Sequence, residues 1–261
     1  MNRRAVIAGL PLAVLMIPGA KAGMARPYRL ALMIAEYDAA AKSYVGGLEI
    51  ELDRGWKTYW RLPGDAGIPP QFDWSRSKNL KSVELLWPAP QRFSDAGGET
   101  IGYKDRVVFP LRIVPENPDD PVELNLSLFF GVCQDICIPG NGELSATTGR
   151  ADPGAAALIA AFAAKVPHKA DDDSPFRVTE AKLTKDRPNS LFVQIEGERR
   201  GELDIFVEGA DFAYFKAPGT PSKSDGWFLP FTGDPARLQG RQLKLTMVTP
   251  DLALEQDITV E

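Results

Sequence analysis

Two cysteines, Cys133 and Cys137, stand four positions apart with Gln134, Asp135 and Ile136 between them, and the 261-residue chain holds no others. Cysteine does its chemistry as a thiolate: it exchanges disulfides, binds soft metals, or stays oxidised as a cross-link. If residues 133–137 were extended, the two Cα atoms would lie about 13 Å apart at roughly 3.3 Å per residue. A disulfide needs them within about 6.8 Å, so pairing requires a turn through the three intervening residues. Gly131 and the Pro139-Gly140 pair flank the cysteines with turn chemistry. The bond is therefore feasible at an exposed hairpin tip. Closing so short a loop removes about 2 kcal/mol of unfolded-chain entropy, against nearly 5 for a loop of about 100 residues. A working redox pair, a local clip and a thiolate metal site all fit that spacing. Asp135 is the charge inside the loop, and a carboxylate there disfavours a second negative charge on a neighbouring thiol.

The rest of the composition removes other chemistries. One histidine, His168, cannot build a three-His zinc site or a His-rich copper site. It follows Pro167 with no serine or cysteine beside it, so it reads as a solvated side chain. Lys plus Arg total 30 against 35 for Asp plus Glu, a net charge of −5 with no basic run interleaved with aromatics, which excludes a nucleic-acid-binding face. Asp171-Asp172-Asp173 lacks the glycine and terminal glutamate of a calcium loop and reads as a solvated linker. The scattered methionines do not make a copper site. No metal and no organic cofactor is expected.

Several elements must position the cysteines. Residues 1–22 read as a cleaved signal peptide: Arg3 and Arg4, an apolar stretch over residues 5–17, the breakers Pro18 and Gly19, then Ala20-Lys21-Ala22. Export places the pair where disulfides persist, in a periplasmic or extracellular setting. The following chain alternates with period two. Leu48, Ile50 and Leu52 form one half-buried strand, Val122 to Phe130 another, and Leu191-Val193-Ile195, Leu203-Ile205-Val207 and Leu243-Leu245-Met247 three more. Clusters such as Pro63-Gly64-Asp65 and Asn117-Pro118-Asp119-Asp120 punctuate them, which predicts antiparallel sandwiches and not βαβ units. One helix is predicted, with Asp152 as N-cap, Pro153 at its first position, Leu158, Ile159, Phe162 and Val166 on one face, and Pro167 as its stop. The expected fold is all-β, two β-sandwich domains joined by a short α-helix and linker. The domains are the signal peptide at 1–22, a first domain at 23–150, helix and linker at 151–175, and a second small sandwich at 176–261. Trp56, Trp60, Trp74 and Trp87 are expected in the sandwich core.

Four ordered blocks carry a resemblance. They are Gly55-Trp56-Lys57-Thr58-Tyr59-Trp60, Trp87-Pro88-Ala89-Pro90-Gln91-Arg92-Phe93, Ile101 through Pro110, and Gly131-Val132-Cys133 through Pro139. Over residues 43–145 the chain resembles the N-terminal periplasmic domain of the DsbD / ScsB thiol:disulfide interchange family, ScsB sharing the C-x-x-x-C spacing. The resemblance implies an immunoglobulin-like first domain whose cysteine pair is reduced by a membrane-linked thioredoxin-like donor and then reduces periplasmic client proteins, a thiol-disulfide oxidoreductase acting as an electron relay. It implies that Cys137 attacks the client disulfide and Cys133 resolves the mixed disulfide. It also implies a cap loop at residues 93–99 carrying Phe93, and an aromatic, Tyr59, beside the cysteines. Members of the family continue into a membrane domain and a thioredoxin-like domain; this sequence ends at Glu261 with neither, so the expectation is that it takes electrons from separate proteins or does not carry electrons at all. Two alternatives stand beside this reading: an exported binding module with a structural disulfide, and a Cu(I)-binding protein using both thiolates.

Overall fold

The computed structural model describes residues 26–64, 67–95, 98–149, 153–219, 221 and 226–261. The signal-peptide segment and the Asp152 cap lie outside the described residues. Among the described residues the fold is all-β: two sandwiches with one short α-helix between them.

The first sandwich uses β1 (Tyr28–Asp38), β2 (Ser43–Leu52), β3 (Lys57–Gly64), β4 (Gln71–Asp73), β5 (Leu80–Leu85), β6 (Gln91–Asp95), β7 (Gly98–Lys104), β8 (Arg106–Pro115), β9 (Glu123–Cys133) and β10 (Cys137–Thr147). One sheet runs β1-β2-β8-β5 and the other β10-β9-β3-β7-β6, with β4 also on β9 and all pairings antiparallel. The alternation read in the sequence decides which side chains enter the core. Leu48, Ile50, Leu124, Leu126 and Phe130 are buried between the sheets with Trp60 and Phe109, while Glu123, Asn125 and Ser127 stay half-buried on the other face. Trp56, Trp74 and Trp87 pack against that core from its margin.

The helix α1 (Pro153–Ala163) lies on the outer face of the first sheet. Its Ala155 and Ile159 cluster with Ala35 of β1 and Val108 of β8. It stops three residues short of the Val166 expected from the sequence. The chain then tightens through Lys165 N–H to Phe162 C=O and Val166 N–H to Ala163 C=O, an i→i+3 ending. His168 and Lys169 then form β11 (His168–Lys169), in parallel register with Leu254 and Glu255. The second sandwich adds β12 (Phe176–Thr184), β13 (Arg187–Gly197), β14 (Asp204–Glu208), β15 (Tyr214–Phe215), β16 (Gly226–Thr232), β17 (Gln242–Val248) and β18 (Ala253–Thr259). Its sheets run β11-β18-β17-β14 and β12-β13-β16-β15. Val193, Ile195, Ile205, Leu229, Leu245 and Met247 fill the space between them.

Strand β14 serves both sandwiches. Ile205 and Val207 point into the second core, and Phe206 between them points the other way, into the first. There its ring meets Trp60 edge-on at 5.7 Å. Arg61 stacks on Trp60 at 4.3 Å and Arg92 on Phe206 at 4.7 Å. Both guanidiniums are paired by second-sandwich carboxylates: Arg61 donates to Glu208 at 2.8 and 2.7 Å and to Glu255, and Arg92 donates to Asp204 at 3.1 Å. Burial opposes the charge on both arginines. The hydrogen bonds and attraction of these carboxylates outweigh it, so both are held above the ordinary arginine pKa.

Candidate functional site: a cysteine pair at a hairpin tip

Strands β9 and β10 run in antiparallel register from Glu123↔Thr147 to Cys133↔Cys137, where the ladder ends in a three-residue loop. That register makes the cysteines direct cross-strand partners, with Cα atoms 4.1 Å apart and the sulfurs bonded. The turn expected through residues 134–136 is present. Pro139 and Gly140, however, are strand residues of β10 and not part of it. Proline is tolerated there because β10 is the edge of its sheet. The two sulfurs differ in surroundings. Cys133 is a buried residue, 8% exposed, whereas Cys137 is an exposed one, as are Asp135 and Ile136, the last 75% exposed.

Tyr59 lies against the pair. Its hydroxyl is 2.9 Å from Cys137 Sγ. A disulfide sulfur has no proton, so the phenol donates. The ring is only 2% exposed although it sits on the outward face of β3. Gly67 packs against it, Gly131 leaves room for the ring, and Gly102 lets β7 approach the β3 backbone. A Cβ at Gly131 would lie 2.7 Å from Tyr59 Cε2, and one at Gly102 1.9 Å from Thr58 O. Thr58 donates to Gly131 C=O at 2.9 Å, locking β3 to β9 beside the cysteines.

Phe93 is on the same face. It sits on β6, paired with Thr100 of β7, so the stretch expected as a cap loop is a strand-paired hairpin up to Asp95↔Gly98. Its half-buried ring is flanked by the Lys57 ammonium at 5.3 Å and the Lys104 ammonium at 5.8 Å. Lys57 is the cross-strand partner of both Cys133 and Lys104, which puts its side chain on the cysteine face, between Phe93 and Cys133. Sequence reasoning found Asp135 as the nearby charge and missed these two lysines. The signal was available: Lys57 alternates with Thr58 inside the Gly55–Trp60 block, and only the β3–β9 register shows which cysteine it faces. Asp135 sits in solvent at the loop tip, where its field is screened.

Among the described residues no group of three or more His, Cys, Asp or Glu side chains converges as a metal site, and no helix is long and apolar enough to cross a membrane.

An antiparallel sandwich that carries a disulfide at a hairpin tip, with a phenol hydroxyl aimed at one sulfur, is an immunoglobulin-like disulfide domain. Residues 32–149 match the profile of the family "Thiol:disulfide interchange protein DsbD, N-terminal". The crystal structure of the N-terminal periplasmic domain of ScsB from Proteus mirabilis superimposes on the whole molecule. Its TM-score is 0.73 at 22% identity, covering 94% of this chain and 96% of that one, so the fold extends through both sandwiches. Tandem Ig repeats of Dlar also align, over 85% of this chain and 90% of that one, but at 10% identity and a TM-score of 0.21 they add nothing to the fold assignment. No curated protein sequence matches the chain.

Proposed function

We propose that this protein is a periplasmic thiol–disulfide carrier, exported by the signal peptide at residues 1–22. In this reading its Cys133/Cys137 pair takes reducing equivalents from a thioredoxin-like or membrane-linked donor and passes them to disulfide-bonded client proteins. Residues 23–150 are the redox domain, and residues 176–261 are a second domain joined by the helix and linker at 151–175. The observation that supports the reading most is the asymmetry of the bond: Cys137, an exposed residue with the Tyr59 hydroxyl on its sulfur, and Cys133, a buried one.

In the reduced protein Cys137 is the attacking thiolate and Tyr59 stabilises it by donating its hydroxyl proton. The thiolate attacks one client sulfur in line, the client S–S bond breaks, and the other client sulfur leaves as a thiolate that takes a proton. Cys133 then attacks Cys137 Sγ, the mixed disulfide breaks, and the second client sulfur leaves as a thiol. Two electrons and two protons have moved to the client and the Cys133–Cys137 bond has formed. The donor dithiol restores it by the same two steps in reverse. Phe93 acts as the cap beside the pair, and Asp135 belongs to the loop that a docking partner meets. No other group is needed for exchange.

Two measurements test the reading. Equilibration with a dithiothreitol or glutathione series is expected to show the pair interconverting at a potential above about −300 mV; a pair that stays oxidised below that is a structural clip. A Cys133→Ala variant is expected to accumulate mixed disulfides through Cys137. Accumulation in Cys137→Ala instead would reverse the two roles. Stoichiometric Cu(I) binding by the reduced protein, with no exchange activity, would favour a copper site.

A further inference from the structure

Strand β6 is the outer edge of its sheet, and the hairpin it forms with β7 carries Phe93. An edge hairpin with few neighbours is among the first parts of a sandwich to open. Here it is braced from outside. Arg92, the residue before Phe93, has a side chain only 8% exposed, and donates to both oxygens of Asp204 and to Ile205 C=O at 3.2 Å. It also pairs with Glu99 on the opposite strand of the hairpin. Glu99 in turn accepts a hydrogen bond from the Tyr214 hydroxyl at 2.7 Å. Asp204 and Ile205 belong to β14 and Tyr214 to β15, so each strand of the hairpin is tied to the second sandwich at a point within one or two residues of the turn-side register pair Ser94↔Glu99.

We infer that the second sandwich is the positioning element of the redox pair: Asp204 and Tyr214, acting through Arg92 and Glu99, hold the β6–β7 hairpin so that Phe93 stays on the Cys133 side of the site. This rests on the reading of Phe93 as the cap. It gives residues 176–261 a role in the chemistry without a residue at the sulfurs. Phe206, seated in the first core beside Arg92, keeps β14 in place for that contact. Arg61, which follows Trp60 and Tyr59 on β3, is fastened to Glu208 of the same strand. One strand of the second sandwich thus meets both strands that carry the site's aromatic rings.

The test is the rate at which dithiothreitol reduces the full-length oxidised protein. A dithiothreitol thiolate attacks Cys137 Sγ, the Cys133–Cys137 bond breaks and Cys133 leaves as a thiolate. The second dithiothreitol thiol then displaces Cys137, closing the cyclic disulfide and leaving the protein two electrons and two protons richer. Phe93→Ala sets the ceiling, expected at about tenfold faster because access no longer waits for the hairpin to open. Asp204→Asn, which weakens the charge-assisted bonds from Arg92, and Tyr214→Phe, which removes the hydroxyl bond to the Glu99 carboxylate, are each expected to accelerate reduction by about three- to fivefold. Combined with Phe93→Ala, neither is expected to add further acceleration, because both act through the same ring. If Phe93→Ala accelerates reduction and the other two leave the rate at the parental value, the positioning role is refuted and the cap stands. If Phe93→Ala leaves it unchanged, the cap itself fails, and the inference with it. Full additivity with Phe93→Ala would also overturn it, since the second-sandwich residues would then act by general loosening.

Discussion

Replacing Tyr59 by phenylalanine isolates one interaction, the hydroxyl 2.9 Å from Cys137 Sγ. The ring stays in its slot over Gly131, so packing is conserved and the change falls on the sulfur. In the oxidised protein the phenol donates to a weak acceptor. In the reduced protein it donates to a thiolate, and a hydrogen bond to a charged group contributes about 1.5–3 kcal/mol. Cys137 is an exposed residue at a loop end, and water replaces part of a lost donor, so the lower end applies. At about 1.4 kcal/mol per pKa unit, the Cys137 thiol of Tyr59→Phe should titrate about one unit higher than in the parent. At an assay pH chosen below both pKa values, thiolate falls about tenfold while the nucleophilicity of each thiolate rises about threefold, given a Brønsted slope near 0.4–0.5. Attack on a model disulfide should therefore slow by about three- to fourfold. Both proteins carry Cys133→Ser, so that one thiol titrates and no coupled pair has to be disentangled. Alkylation rate against pH, followed by mass spectrometry, reads the pKa directly. Equal pKa values in two proteins with the same circular dichroism would refute the assignment of the phenol as thiolate donor.

Two other outcomes follow from the same geometry. Gly131→Ala places a Cβ 2.7 Å from Tyr59 Cε2 and 2.9 Å from Ile68 Cβ. It should cost about 1–3 kcal/mol by overpacking, read as a lowered melting temperature, and should displace the Tyr59 hydroxyl, read as a raised Cys137 pKa. The buried Tyr103 phenol, which donates to Pro88 C=O at 2.8 Å, is held by burial well above its ordinary pKa, the Arg61 charge only partly opposing that. A raised folded-state pKa contributes stability that is complete below the unfolded value of about 10 and is lost as pH climbs through it towards the folded value. The fold should therefore weaken above about pH 10, with the Tyr103 phenolate signal appearing together with unfolding. Tyr103→Phe should flatten that loss.

The strands were legible because each sandwich face selects every second side chain, and Leu48-Ile50-Leu52 or Leu124-Leu126-Leu128 state that selection without help from the rest of the chain. The cysteine pair was legible from its spacing, and Tyr59, whose hydroxyl reaches Cys137 Sγ, from the resemblance. What remained hidden depends on register and on distant chain. Lys57 faces Cys133 only because β3 pairs with β9 at that step. Phe206 reads as one more residue of the Leu203-Ile205-Val207 strand, yet fills the core of the other sandwich. Arg92 and Asp204 are 112 positions apart, and nothing local in either segment signals the other. The helix end was misplaced because Val166 fits the apolar stripe, whereas the backbone tightens after Ala163 before Pro167 can act as the stop. Pro139-Gly140 looked like a turn, since edge-strand proline is indistinguishable from turn proline until the sheet order is known.

The ladder between β9 and β10 continues without a break from the sulfurs to Thr147↔Glu123. Backbone hydrogen bonds, not the sulfur link, hold the two thiols side by side after reduction, so each returns to its partner without a search through chain conformations. Opening the five-residue ring forfeits at most about 2 kcal/mol. An exchange cycle of the kind proposed would then run on one folded body, without a structural detour.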